Sequence, residues 1–204
     1  MIKITFKLLI SLILLILILL VYLSIIGVTT DKFNSKIITQ IQQIDPNLNL
    51  KLNSVIVKLD PFNFGINAKT IGTDLVYRNK VINIETIESK NSIKSFLNDK
   101  FSLTEIFIST KPLVIKDLVT FVRLLNNDPK LFIAEKVINK GYVIADLKLE
   151  FDESGKIKKT YQIDGLVKDG KINLLEEYNF KKIDFIFKIN QNALKFNDIK
   201  IIQD

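Results

Sequence analysis

The chain contains no histidine and no cysteine. Without histidine there is no Ser-His or Cys-His pair to activate a nucleophile, and no histidine-bearing metal site. Without cysteine no disulfide can brace a folded domain, and a lipoprotein anchor is excluded. Arginine is almost missing as well. The 29 basic residues are nearly all lysine, with arginine only at Arg78 and Arg123, and they alternate with 22 acidic residues to leave a net charge of +7. Nucleic-acid readers concentrate arginine for bidentate contacts and add stacking aromatics. Here the lysines fall on the polar rows of strands, where they serve solubility and edge protection. No nucleic-acid partner is expected.

What the sequence does have is one long apolar run. From Leu8 to Val28 it reads LLISLILLILILLVYLSIIGV, without a charge. A helix of that length spans roughly 30 Å, the thickness of a bilayer's hydrocarbon core. A cleaved signal peptide needs an apolar core of only about 7 to 15 residues and a small-x-small exit, and Gly27-Val28-Thr29 offers a poor one. Residues 1–29 therefore read as an uncleaved signal anchor. Lys3 and Lys7 precede the run, and positive flanks stay cytoplasmic. Residues 30–204 are then expected outside the inner membrane, in the periplasm if the cell is a diderm bacterium, with burial alone to stabilise them.

Residues 30–46 predict an amphipathic helix. Thr30 or Asp31 can cap it, Phe33, Ile37, Ile41 and Ile44 form one stripe, and Asp45-Pro46 ends it. The period then changes to two. Leu48, Leu50 and Leu52 alternate, and Val55, Val57 and Leu59 continue with the phase shifted by one, which predicts a bulge or turn near Asn53-Ser54. After Asp60-Pro61, Phe62, Phe64, Ile66 and Ala68 read as the start of the next strand. KVINIETIES and LTEIFIST supply two more, joined by a helical turn in SKNSIKSFLNDK. Strands that follow one another this closely pair antiparallel. A helical insertion is expected at about 116–139, split at Asp128-Pro129 and closed by Gly141. Strands then resume, with DESG and KDGK as tight reversals and Asp169-Gly170 suited to a type I′ hairpin. The chain stops at IKIIQD without a cap on the sheet, and so reads as the first part of a longer protein.

Motifs with chemistry are few. Gly165 to Lys171 fits the core of a phosphate-binding loop, but Ile172 stands where a hydroxyl should hold magnesium, and a strand rather than a helix follows. The acidic pairs Asp152-Glu153 and Glu176-Glu177 sit at strand ends or turns, where solvated charge is the default. FDESG lacks the spacing of a calcium loop, and nothing marks a Ser-Lys dyad. Neither catalysis, a metal nor a cofactor is expected.

The strand YVIADLKLEF carries more information. Val143, Ala145, Leu147, Leu149 and Phe151 occupy one face, and the other turns polar through Asp146, Lys148 and Glu150. The order of elements around it resembles the AsmA-like family of inner-membrane proteins, grouped with bridge-like lipid-transfer proteins. The resemblance rests on the single anchor, on DKFNSKIITQIQQID directly after it, and on LNLKLNSVIVKLDPFNFGINAKTIG. It continues in VINIETIESKNSIKSFLNDKFSLTEIFISTKPLVI and in the hairpin-like unit IDGLVKDGKINLL with FKKIDFIFKI and LKFNDIKI. It implies an α+β, mainly β fold: an open, strongly curved antiparallel sheet, apolar on its concave face and polar on its convex one. Phospholipid acyl chains would slide along that trough. At 204 residues the chain would hold the membrane-proximal entrance of such a bridge.

Groove candidates are Val143, Ala145, Leu147, Leu149 and Phe151, joined by Ile183, Phe185 and Phe187. Alternation alone does not separate a groove from the core of a β-sandwich. The second reading is a membrane-tethered scaffold for envelope proteins, which would bury the same row and expose a partner patch elsewhere.

Overall fold

The computed structural model describes residues 2–44, 46–77, 80–98, 102–125, 129–173 and 179–203. Asp45, Asp128, Glu176 and Glu177 lie outside them, and with these the expected helix stop, the break between the inserted helices and the second acidic pair.

Helix α1 (Ile2–Ile25) is apolar on all sides, and its side chains from Ile4 to Tyr22 are exposed. Its segment Ile4–Ile25 is long and apolar enough to cross a membrane. The helix stops before Val28 because Gly27 takes a left-handed backbone (φ 79°) and its N–H bonds back to the Tyr22 carbonyl at 3.1 Å. Val28–Thr30 then form β1, an edge strand.

The expected amphipathic helix begins later than Thr30 or Asp31. Helix α2 runs Asn34–Ile44, because residues 28–30 are claimed by strand pairing. Thr30 Oγ1 still accepts the Lys32 N–H at 3.2 Å, and the Asp31 carbonyl that of Asn34 at 2.9 Å. Asn34 in turn donates its side-chain amide to the carbonyls of Leu52 and Asn53, at 3.1 and 2.9 Å. Phe33 precedes the helix and is exposed, and Ile37 is half-buried.

The remaining strands are β2 (Leu48–Asp60), β3 (Gly65–Tyr77), β4 (Lys80–Ser92), β5 (Leu103–Thr110), β6 (Leu113–Val114), β7 (Ile138–Glu150), β8 (Gln162–Asn173), β9 (Asn179–Asn190) and β10 (Ala193–Gln203). They form one curved, unclosed sheet in the order β1-β2-β3-β4-β5-β7-β8-β9-β10, with β6 also on β7, and every described pairing is antiparallel. Short helix α3 (Ile93–Leu97) links β4 to β5. Helices α4 (Ile115–Leu125) and α5 (Pro129–Val137) stand between β6 and β7. Proline at the first position of α5 costs no hydrogen bond there.

The phase shift at Asn53-Ser54 is a crease rather than a slip. Leu52 lies opposite Thr73 and Ser54 opposite Ile71, so register is kept. Thr73 opposite Ile84 and Lys69 opposite Glu88 keep it between β3 and β4 as well. Yet along each strand the inward residues are three apart across this line: Leu52 and Val55, Thr73 and Thr70, Ile84 and Ile87. Strand β5 carries no extra residue, so Glu85 becomes a bulge there.

A second set of irregularities crosses β7, β8 and β10, and it corrects two expectations. Asp169-Gly170 is no hairpin turn. It lies inside β8, with Asp169 at φ 51°, where the register to β7 and β9 shifts. A left-handed residue followed by glycine suits a bulge as well as a turn, and the local pattern cannot separate the two. Gly141 does not close a helix, because α5 ends at Val137 and Gly141 (φ 123°) is buried within β7, against Gly170. Phe62 and Phe64 belong to the turn before β3, not to the strand. The DESG reversal is present: Asp152 N–H bonds to the Lys156 carbonyl, and Asp152 Oδ1 accepts from Ser154 and Lys156.

The buried core sits under α4, at one end of one face. Tyr77, Ile82, Ile84, Leu113, Phe121, Val143 and Val167 form it, with the Tyr77 and Phe121 rings edge to face at 6.1 Å. Glu135 of α5 holds α4 through Arg123 at 2.6 Å and Thr120 at 2.7 Å.

Candidate functional site: the two faces of the sheet

Cross-strand neighbours share a face, so the pairings sort the paired side chains onto two faces. Ala145, Gly165, Phe187 and Phe196 make one row of the apolar face. The next is Val55, Thr70, Ile87, Ile108, Leu147, Ile163, Ile189 and Leu194, running from β2 to β10. A third joins Val57, Ala68, Ser89, Ile106 and Leu149. Most of these side chains are half-buried rather than sealed. Helix α4 covers one end of this face, and at the β2 edge, against which α2 packs, Val55 and Thr70 are buried as well.

The candidates named from sequence divide accordingly. Ala145, Leu147 and Leu149 stand on the uncovered part. Phe187 lies across β8 from Ala145 and Phe185 across it from Val143, both packed against the core, and Ile183 continues their side of β9 opposite Gly170. Val143 is 5% exposed and belongs to the core beneath α4, opposite Leu113 and Val167. Phe151 has left the strand and is half-buried at the base of the next hairpin, bridged to Ile157. Sequence reasoning passed over Ile106, Ile108 and Ile163. Each alternates visibly within its own segment, but which strand lies beside which is a property of the fold.

The phenylalanines depend on a gap. Gly165 presents only hydrogen beneath the Phe187 ring, and a Cβ there would lie 2.5 Å from Phe187 Cε1. Phe185 completes the cluster, edge to face with Phe196 at 5.3 Å and tilted to Phe187 at 6.2 Å.

The opposite face is laced by charge. Lys69 pairs with Glu88 at 2.7 Å and Lys90 with Glu105 at 2.8 Å. Lys148 reaches both Glu105 at 3.0 Å and Glu150 at 3.1 Å, and Ser109 hydrogen-bonds Asp146. Partial burial pushes the Glu105 carboxyl up, but hydrogen bonds from Lys90 and Lys148 outweigh it and hold the carboxyl below its ordinary range. The same contact with Glu105 raises Lys148. Hydrogen bonds from Lys148 and Thr160 lower Glu150.

Among the described residues no three metal-ligating side chains converge, and the segment resembling a phosphate loop is a bulged strand within the sheet. What the arrangement offers is a large apolar surface backed by a solvated one. No family model, no curated protein and no solved structure matches the chain.

Proposed function

We propose that this is a single-span, inner-membrane-anchored periplasmic protein of AsmA-like type, whose apolar sheet face carries phospholipid acyl chains without catalysis. Lys3 and Lys7 keep the N-terminus cytoplasmic. The observation that supports the reading is the apolar row from Leu147 through Ile163 and Ile189 to Leu194, half-buried or exposed while the reverse face is ion-paired. An acyl chain gains about 0.8 kcal/mol per buried CH₂, so such a face can replace the bilayer for a lipid's tails.

A second reading has its own observation. Edge strand β10 exposes Leu194, Phe196, Ile199 and Ile201, and an open edge with an apolar row can accept a strand from a protein partner. One experiment separates the two. A photo-crosslinking amino acid at Leu147, with Lys148 as control, is irradiated in intact cells and its adducts are read by mass spectrometry. Phospholipid on position 147 and not on 148 supports transport. Protein adducts at 147 support the scaffold and end the lipid reading.

A further inference from the structure

The end of the sheet nearest α1 carries an apolar tip that the fold leaves unpacked. Phe62 is 94% exposed, Phe64 72% and Leu97 74%. Phe62 and Phe64 stand on the β2–β3 turn and Leu97 on α3. The Ile93 N–H bonds to the Phe64 carbonyl at 2.8 Å, so turn and helix are joined, and a cavity of about 570 Å³ opens between them beside Lys94 and Asn98.

The turn is held firmly. Asp60 accepts the Asn63 backbone N–H at 3.1 Å and its side-chain amide at 2.9 Å. Phe64 adopts φ 47°, a left-handed conformation that costs a residue with a Cβ roughly 1–2 kcal/mol. Strain of this kind in a bulky residue, spent on keeping aromatic rings in water, calls for a use.

Position supplies one. Val28 lies opposite Val57, and Lys58 Nζ donates to the carbonyl of Ile25, the last residue of α1, at 2.7 Å. Going back along the chain from Val28 into α1 therefore runs in the direction of the Phe62–Phe64 turn. Lys58 and Phe62 are four residues apart, at most about 13 Å, and the headgroup layer adds roughly 5–7 Å on each side of the hydrocarbon core. The apolar tip stands at the level where α1 leaves the bilayer.

We propose that Phe62, Phe64 and Leu97 form a second membrane contact, dipping into the headgroup region of the leaflet from which α1 emerges. Lys58 and Lys94 face its anionic lipids. This rests on the reading that α1 spans the bilayer. It deepens the proposed function, since a sheet pinned at two points presents its end to the lipid surface.

The absence of cysteine allows a clean test. The full chain carrying Asn98→Cys, labelled with an environment-sensitive fluorophore, is reconstituted into phosphatidylcholine–phosphatidylglycerol vesicles with nitroxide-bearing lipids. Lys80→Cys, at the far end of β4, is the control, and Leu15→Cys reports on the span. The label at position 98 is expected to be blue-shifted and quenched by the nitroxide lipids, and that at position 80 to remain aqueous. Phe62→Ser, Phe64→Ser and Leu97→Ser together are expected to cut the quenching at 98 by roughly two-fold or more, with circular dichroism unchanged. Position 98 as wet as position 80, or quenching indifferent to the serine changes, overturns the second contact while a shielded position 15 leaves the span intact. Reaction of position 15 with an aqueous maleimide overturns both.

Discussion

The side chain of Asn53 fills the space that a side chain on Gly72 would need. A Cβ built on Gly72 meets Asn53 Cγ at 2.8 Å, and Gly72 itself is left-handed at φ 61°. The two residues face each other at the crease in β2 and β3, and α2 is tied to the same line through the bonds of Asn34 to the Leu52 and Asn53 carbonyls. One glycine thus permits both the change of inward phase and the docking of the helix that follows the anchor.

Gly72→Ala is accordingly expected to destabilise the chain by about 2–4 kcal/mol, from the backbone conformation and the overlap together. Asn53→Ala in the same chain should recover the overlap and leave the backbone cost. Urea midpoints of the four variants in detergent measure the coupling. Additive effects would mean that Asn53 moves away freely and the crease does not depend on the pair.

Gly165 and Phe187 form the corresponding pair on the apolar face. Phe187→Ala should cost roughly 2 kcal/mol, less than truncation of a sealed core ring because Phe187 is half-buried. Gly165→Ala should cost about 1–3 kcal/mol by forcing the ring aside. With alanine at 187 most of that second cost should vanish. A remainder is expected, since the added Cβ would also lie 2.9 Å from the Ile144 carbonyl oxygen. Equal costs in both backgrounds would show that Phe187 does not rest on Gly165.

How much of this was legible before the fold was known divides along physical lines. The apolar run of α1, the strand alternation and the antiparallel order were all readable, because they are periodicities within single segments. The crease at Asn53 left its trace as a phase shift in Leu52 and Val55. Asp169-Gly170 misled, because its left-handed preference is satisfied equally by a hairpin and by a bulge, and only β9 and β7 on either side decide which. Phe62 and Phe64 extended an alternating pattern that Asp60 and the left-handed Phe64 interrupt. Val143 looked like Leu149 in sequence and differs from it only because α4 lies over one and not the other. That distinction is tertiary, and no local pattern carries it.

The charged face predicts a pH dependence. Glu105 has its carboxyl held below its ordinary 4.5, against its own burial, by Lys90 and Lys148. A lowered carboxyl stabilises the fold above its unfolded pKa and loses that stability as pH falls through the folded value. Urea midpoints should therefore drop on going from pH 7 to pH 3, and Glu105→Gln should flatten the drop without abolishing it, since Glu150 and Asp184 are lowered too. At pH 7 the substitution should cost about 1 kcal/mol or less, because both lysines are more than a third exposed. Lys148, raised through Glu105, contributes stability below 10.5 that is lost as pH climbs through its folded value. An acid limb identical in Glu105→Gln and the parent would assign the dependence to other carboxylates.

The same contrast between covered and open parts of one face yields the sharpest test of whether the sheet has a groove. Val143→Phe enlarges a side chain that is 5% exposed beneath α4 and should cost about 1–3 kcal/mol by overpacking. Leu149→Phe enlarges a side chain three positions on from Asp146, in the row with Ile106 and Ala68 where α4 does not reach. There the added volume has open space to enter, and the cost should stay within about 0.5 kcal/mol. Denaturation midpoints of the two variants decide. Equal and large penalties would place a second layer over Leu149, and an apolar row sealed along its whole length is a core with no room for an acyl chain.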